Sequence, residues 1–181
     1  METVFNYEQM GTFWKVTLYE KLSPQAVETL ECDIKEKLVN FDNLFSRFKK
    51  TSFVYELSKK IGVVEVPPDL ISILRIYKEM YLLSEKRFTP CIGGLMEDIG
   101  YDSEYSLVSK SQKRDVPDFE EVVHIIDDTH IELKESVLFD IGAVGKGYCV
   151  DLISSHLRSL GHTEFLVDGS GDIVFESKEG V

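Results

Sequence analysis

Between Ser23 and Phe41, apolar residues recur at Val27, Leu30, Ile34, Leu38 and Phe41. An α-helix turns once in about 3.6 residues, so steps of three and four put them all on one side. A stripe of that length must lie against another layer. Ser23-Pro24 marks its start: serine caps the first free N–H groups, and proline suits the first helical position, whose N–H has no partner anyway. A second stripe, Leu70, Ile73, Leu74, Tyr77 and Tyr81, follows Pro67-Pro68, with Asp69 placed to cap it. A third, Val150, Ile153, Leu157 and Leu160, predicts a helix from about Lys146 to Leu160, with Gly161 suited to the left-handed position that ends a helix.

Strand patterns lie between these helices. Thr12 to Tyr19 alternates Trp14, Val16 and Leu18 with polar residues, as a strand with one buried face does. Ile61 to Val66 reads as a turn and strand. Val122 to Ile126, Ile131 to Leu133 and Val137 to Asp140 read as short strands, the first two joined by a turn at Asp127-Asp128. Phe165 to Asp168 and Asp172 to Phe175 flank Gly169-Ser170-Gly171. Arg87 to Tyr101 reads as irregular and Asp102 to Asp118 as loop. Helices and strands are segregated rather than alternating, which predicts an α+β fold with a mixed or antiparallel sheet packed by three main helices. With 43% hydrophobic residues in 181, the chain can bury one core, so residues 1–181 are expected to form a single domain.

The charge excludes some partners. Lys and Arg number 20 against 32 Asp and Glu, a net −12, and no basic run exceeds a pair such as Lys49-Lys50. That is not a nucleic-acid surface. Cys32, Cys91 and Cys149 form no CxxC pair and suggest neither a zinc site nor a disulfide framework. The N-terminal METVFNYEQM shows no signal peptide and no apolar run is long enough to span a bilayer, so the sequence as it stands reads as cytoplasmic.

Asp140 to Asp151, DIGAVGKGYCVD, carries the chemistry. An expected strand enters and an expected helix leaves, with Gly142, Gly145 and Gly147 at the junction. Glycine lets a backbone approach a ligand, and the N–H groups and dipole of a helix start favour an anion. Lys146 adds a full charge. Asp140 could accept a hydrogen bond from a ribose or a ring edge, or help organise a metal. A purely structural tight turn is the competing reading. The spacing matches neither the Walker phosphate loop nor the dinucleotide fingerprint GxGxxG.

The order resembles the ApbE-like family, FAD:protein FMN transferases, whose turn runs D-L-G-[AGT]-x-[AG]-[KE]-G-Y-x-x-D. Asp140, Gly142, Ala143, Gly145, Lys146, Gly147, Tyr148 and Asp151 stand in its places. Met10-Gly11-Thr12 is similar to the family's opening M-G-T. Phe45-Ser46-Arg47-Phe48 with Ser52 and Leu57 resembles F-S-x-[YF]…S…L, Phe88 to Tyr101 resembles F-D-x-T-x-G-P-L-x-x-x-W-G-F, and Val167 to Ile173 resembles the following G-G-D strand. Thr89, Cys91, Gly94, Ile99 and Ser170 depart from those patterns. Ile99 stands where the family has a tryptophan, and so removes an aromatic stacking surface.

The resemblance implies the N-terminal portion of an ApbE-like, T-fold-related domain. It implies that Met10, Phe48, Asp140 and Lys146 contact FAD, that Ile99, Gly100 and Tyr101 line its flavin or adenine pocket, and that Ala143 offers a backbone carbonyl to Mg²⁺. Lys146 and Asp140 are the implied catalytic residues. The implied reaction is Mg²⁺-dependent transfer of FMN from FAD to a threonine of a target flavoprotein, with release of AMP. The family continues with T-S-G and H-x-I-D-P segments and further metal ligands, while the sequence stops at Val181. It is therefore expected to be a C-terminally incomplete member, with a flavin-nucleotide-binding module lacking catalysis, or a non-binding structural domain, as alternatives. The family often works behind a lipoprotein leader, so a periplasmic or membrane-anchored parent is a further expectation.

Overall fold

A computed structural model describes residues 2–178. Met1 and residues 179–181, the ends of the expected domain, lie outside them. The chain divides into two compact units, Met1–Asp42 with Gly145–Val181, and Asn43–Val144.

The first unit is built on a four-stranded sheet. Strands β1 (Thr3–Gln9) and β2 (Thr12–Leu18) pair in register from Thr3↔Leu18 to Gln9↔Thr12. The late strands, Phe165–Asp168 and Ile173–Glu176, complete the antiparallel order β1, β2, Phe165–Asp168, Ile173–Glu176. Cross-strand pairs Val16↔Val167 and Leu18↔Phe165 are buried completely. Such pairs contribute about 0.2–1 kcal/mol each and fix the register, because a slip by one residue would turn both strands inside out. Helix α1 spans Pro24–Phe45, and its expected stripe is buried at Leu30, Ile34, Leu38 and Phe41. Ser23 caps it as expected, its hydroxyl accepting from the Ala26 N–H at 3.3 Å. Strand β1 was not named from the sequence: its burial does alternate, but Phe5 is its one fully buried residue and an apolar Val4 faces outward, so the apolar pattern is weak.

In the second unit, α2 (Phe53–Leu57) leads to β3 (Gly62–Glu65) and then α3 (Pro68–Leu83). A short 3-10 turn at Pro90–Ile92 runs into α4 (Gly93–Asp98), and α5 (Phe119–Val122) runs directly into β4 (Val123–Ile125). Strand β5 (His130–Leu133) lies between β3 and β4, antiparallel to both. The turn at Asp127 is held by its own carboxylate, which accepts from the Thr129 and His130 N–H groups, each at 2.7 Å. The α3 stripe is buried as expected. Asp69 is not its cap: the helix starts at Pro68, so Asp69 is already in the first turn, where its charge suits the dipole. Arg87 to Tyr101 is more regular than expected, since it holds the 3-10 turn and α4.

Two further expectations fail. Val137 to Asp140 belongs to no strand. Val137, Leu138 and Phe139 are buried, but the segment is held by packing and by bonds outside any ladder, such as Asp140 N–H to the Pro90 carbonyl at 2.7 Å. A short apolar run has no period to distinguish a strand from any other buried segment. Gly93 packs on the Leu138 backbone so closely that a side chain there would overlap the Leu138 carbonyl oxygen. Secondly, the third long helix, α6, spans Gly142–Ser159 and begins a full turn before Lys146. Glycine's poor helix propensity hid that turn, and burial of Gly145 and Cys149 overrides it. Gly161 takes the expected left-handed conformation, φ +88°.

The fold is thus α+β, with antiparallel sheets and three main helices, α1, α3 and α6. No helix among the described residues is long and apolar enough to cross a membrane.

Candidate functional site

The second unit holds Asp140 at the start of α6. Its Oδ1 accepts from the Gly142 N–H at 2.8 Å, answering one of the helix's orphan donors. Its Oδ2 accepts from Arg47 Nε at 2.6 Å, with side chains only 3% and 17% exposed for Arg47 and Asp140. Arg47 Nη1 donates to the Tyr101 carbonyl at 2.7 Å. The guanidinium also lies over two rings, 4.1 Å from the Phe48 centroid and 4.8 Å from that of Tyr101. Its remaining nitrogen, Nη2, is buried without a hydrogen-bond partner. Leaving a buried charged donor unanswered costs on the order of 1–3 kcal/mol or more, and native structures keep such groups few.

Tyr77, from α3, completes the surroundings of that helix start. Its hydroxyl donates to the Asp140 carbonyl at 3.1 Å. Burial raises its pKa above the usual tyrosine value, Asp140 raises it further, and the N–H groups of Ala143 and Val144 oppose the rise. Of the first donors of α6, the Gly142 N–H thus already faces Asp140 and the Val144 N–H donates to the Ile141 carbonyl at 3.1 Å, whereas the sequence suggested that they await a ligand. Gly142 and Ala143 are nonetheless exposed.

Phe48, Ile99, Gly100 and Tyr101, all expected near a ring, fall in this unit. Phe48 meets Tyr101 edge-on at 5.3 Å. Ile99 is 41% exposed, at the end of α4. Gly100 has φ +95°, and a side chain there would strike the backbone of Leu107 and Val108. Asp98, beside them, is buried and accepts from Lys110 Nζ at 2.7 Å and from Arg114 Nε and Nη2 at 2.8 Å. Those bonds, from Arg114 first and then Lys110, hold its carboxyl well below the usual range.

The first unit holds Met10, Gly145, Lys146 and Gly147. Met10-Gly11 forms the two-residue turn between β1 and β2, with φ of 55° and 69°. Positive φ at both positions is the hairpin geometry that matches strand twist, but it is strained for methionine. Lys146 lies on α6, half-exposed, and pairs with Asp172 at 3.2 Å. Asp172 closes the Gly169-Ser170-Gly171 turn, where the Gly169 N–H donates to the Asp172 carbonyl at 2.9 Å. Ser170, a departure from the family pattern, has φ 59°. Its hydroxyl donates to the Phe13 carbonyl at 2.9 Å and accepts from the Thr12 hydroxyl at 2.5 Å.

Sequence reasoning missed Arg47 and Asp172 as partners of the two residues it singled out. Asp172 sits in the quoted VDGSGDI stretch, and a cation between Phe45 and Phe48 could have drawn attention to Arg47. Two surface cavities, of about 320 and 290 Å³, are lined respectively by residues such as Phe119 and His124 and by residues such as Tyr7 and Glu31. Neither includes a site residue named from the sequence. Among the described residues, no group of three or more His, Cys, Asp or Glu is placed to hold a metal ion.

A family model described as the ApbE family matches residues 10–180. Among solved structures, a mutant of the flavin transferase ApbE from Vibrio cholerae is similar over 100% of this chain and 65% of its own, at 16% identity and TM-score 0.82. The apo form of the flavinyl transferase ApbE from Pseudomonas stutzeri matches 98% of this chain and 61% of its own, at 18% identity and TM-score 0.82. The ApbE protein from Thermotoga maritima matches 97% and 59%, at 20% identity and TM-score 0.77. The chain thus spans less than two thirds of the length of each of these relatives, and at such identities the likeness is one of fold. No curated protein matches the sequence.

Proposed function

The chain belongs to the ApbE family, and from that premise we propose that it binds FAD and takes part in transfer of FMN to a threonine of a target flavoprotein. The threonine oxygen attacks the phosphorus on the riboflavin side, the phosphoanhydride bond breaks, AMP leaves, and the hydroxyl proton is lost to a base these residues do not identify. The observation that carries the reading is the Arg47 group: a buried guanidinium stacked on Phe48 and Tyr101, tied to Asp140, with one donor unanswered. An aromatic face beside a free donor suits a planar ring with acceptors on its edge.

Asp140 serves by orienting Arg47 and the start of α6, and Phe48, Ile99, Gly100 and Tyr101 by contacting the ligand. Gly142, exposed at the start of α6, keeps a side chain away from its diphosphate. Lys146 neutralises diphosphate charge, sharing its ammonium with Asp172. In phosphoryl transfer, such positioning and charge neutralisation supply most of the catalysis.

Magnesium fits these residues only in part. Ala143 offers a backbone oxygen, and Mg²⁺ takes oxygen ligands with phosphate and water completing its shell. The described residues add no acidic cluster to it, so no step is derived through the metal. A second reading is FAD binding without catalysis.

Titration of the chain with FAD, with and without Mg²⁺, followed by an AMP-release assay with a threonine-bearing acceptor, tests both. Binding with AMP release supports transfer. Binding without release selects the module, and absence of binding ends both. In the transferase case, Lys146→Ala lowers the rate of AMP release by roughly 10²–10³, the usual effect of removing one charge-stabilising donor.

A further inference from the structure

Tyr105 lies in the polar stretch that the sequence marks only as loop, yet its ring is stacked on Phe48, with centroids 5.3 Å apart and planes 9° apart. Tyr101 meets it edge-on at 5.5 Å. With Arg47 over Phe48, the group presents three aromatic rings and one cation within a single unit. Tyr105 itself is 55% exposed, so it fills no core.

The backbone that holds it there is strained. Tyr105 and Leu107 have φ of 50° and 52°, a region unfavourable to residues with side chains. Such conformations persist only where the surroundings over-determine them, and here they do. The Asp102 carboxylate accepts from the Glu104 N–H at 2.9 Å, the Ser106 N–H at 3.1 Å and the Ser106 hydroxyl at 2.6 Å. The Leu107 N–H returns to the Gly100 carbonyl at 2.9 Å.

We propose that Tyr105 is a stacking residue for the flavin ring of bound FAD, supplying from this loop the aromatic surface that Ile99 does not. The inference rests on the FAD-binding reading above. Two rings with a third between them stand about 7 Å apart, twice the usual ~3.5 Å carbon contact, so at 5.3 Å the Phe48–Tyr105 pair leaves no room. Tyr105 therefore swings outward to admit the ligand and closes on its far face. The ring class follows from the neighbours: Arg47 Nη2, without a partner, calls for a ring with carbonyl oxygens on its edge, which a flavin has.

The test is FAD titration of the full chain by calorimetry and by flavin fluorescence, with melting curves confirming the fold of each variant. Wild type binds and quenches the flavin. Tyr105→Phe stays within about twofold, and Tyr105→Leu binds roughly tenfold more weakly with part of the fluorescence restored, as removal of one stacking face requires. Unchanged or tighter binding by Tyr105→Leu overturns the proposal, the tighter result making Tyr105 a mere obstruction over Phe48. If the leucine variant does not fold, Tyr105→Trp decides: binding at least as tight as wild type supports the proposal, and tenfold weaker binding overturns it. Wild type that binds no FAD overturns the FAD-binding reading together with this inference, an outcome distinct from failure at Tyr105 alone.

Discussion

Two buried acid–arginine arrangements in the Asn43–Val144 unit use the same chemistry to different ends. At Asp98, the acid is buried and its cations reach in from the surface, with Lys110 and Arg114 side chains 60% and 50% exposed. Water hydrates what the carboxylate does not, so every group is satisfied. At Arg47 the cation is the buried member, 3% exposed, and it has more donors than the protein has acceptors for them. The first arrangement is complete and fastens the segment after Gly100 to α4. The second leaves one buried donor unanswered, which is the feature that the proposed ligand would complete.

Removal of each acid would test that contrast most strongly. Asp140→Ala strands a buried guanidinium and should lower unfolding free energy by about 3–5 kcal/mol, the usual result of breaking a buried pair from one side. The same truncation at Asp98 leaves cations that water can rehydrate, and should cost about 1–3 kcal/mol. Urea unfolding of the two variants compares them directly, and equal losses would erase the distinction between the two arrangements.

Acid titration sharpens the comparison with a smaller effect. The Asp98 carboxyl is held below its ordinary value by Arg114 and Lys110. Its stabilisation is therefore fully present above the ordinary carboxylate pKa of about 4 and is lost as pH falls through the depressed folded value. Asp98→Asn should lower stability above about pH 5 by a constant amount and flatten its fall over that acid interval, as followed by melting temperature. The smallest effect is expected from Arg114→Lys, within about 1 kcal/mol, because an exposed cation can be replaced by another.

How much of this was legible follows from which forces are local. The stripe from Leu30 to Phe41 announces α1 because helix periodicity is written in neighbouring residues, and Ser23 marks its start by chemistry confined to one turn. Val137 to Phe139 misleads because burial without a period does not name a conformation. Gly142 to Gly145 misleads differently, since propensity opposes the helix that packing imposes. The motif residues Asp140 and Lys146 could be picked out, but their partners could not: Arg47 meets Asp140 across 93 positions of sequence. Tyr105 was hidden for a related reason. Its place on Phe48 depends on a left-handed backbone that no glycine advertises.

The closure at Gly100 has a consequence for how such a protein can diverge. Because the Leu107 N–H is tied to the Gly100 carbonyl, and the absence of a side chain at Gly100 lets the two backbones touch, residues 101–107 begin and end at nearly one point. Replacing or lengthening them leaves both anchorages where they are, as in other compact surface loops whose ends meet. The stretch is therefore an interchangeable cassette. A lineage could alter which ring it grips by rewriting a few exposed positions, while the hydrophobic interior kept its sequence.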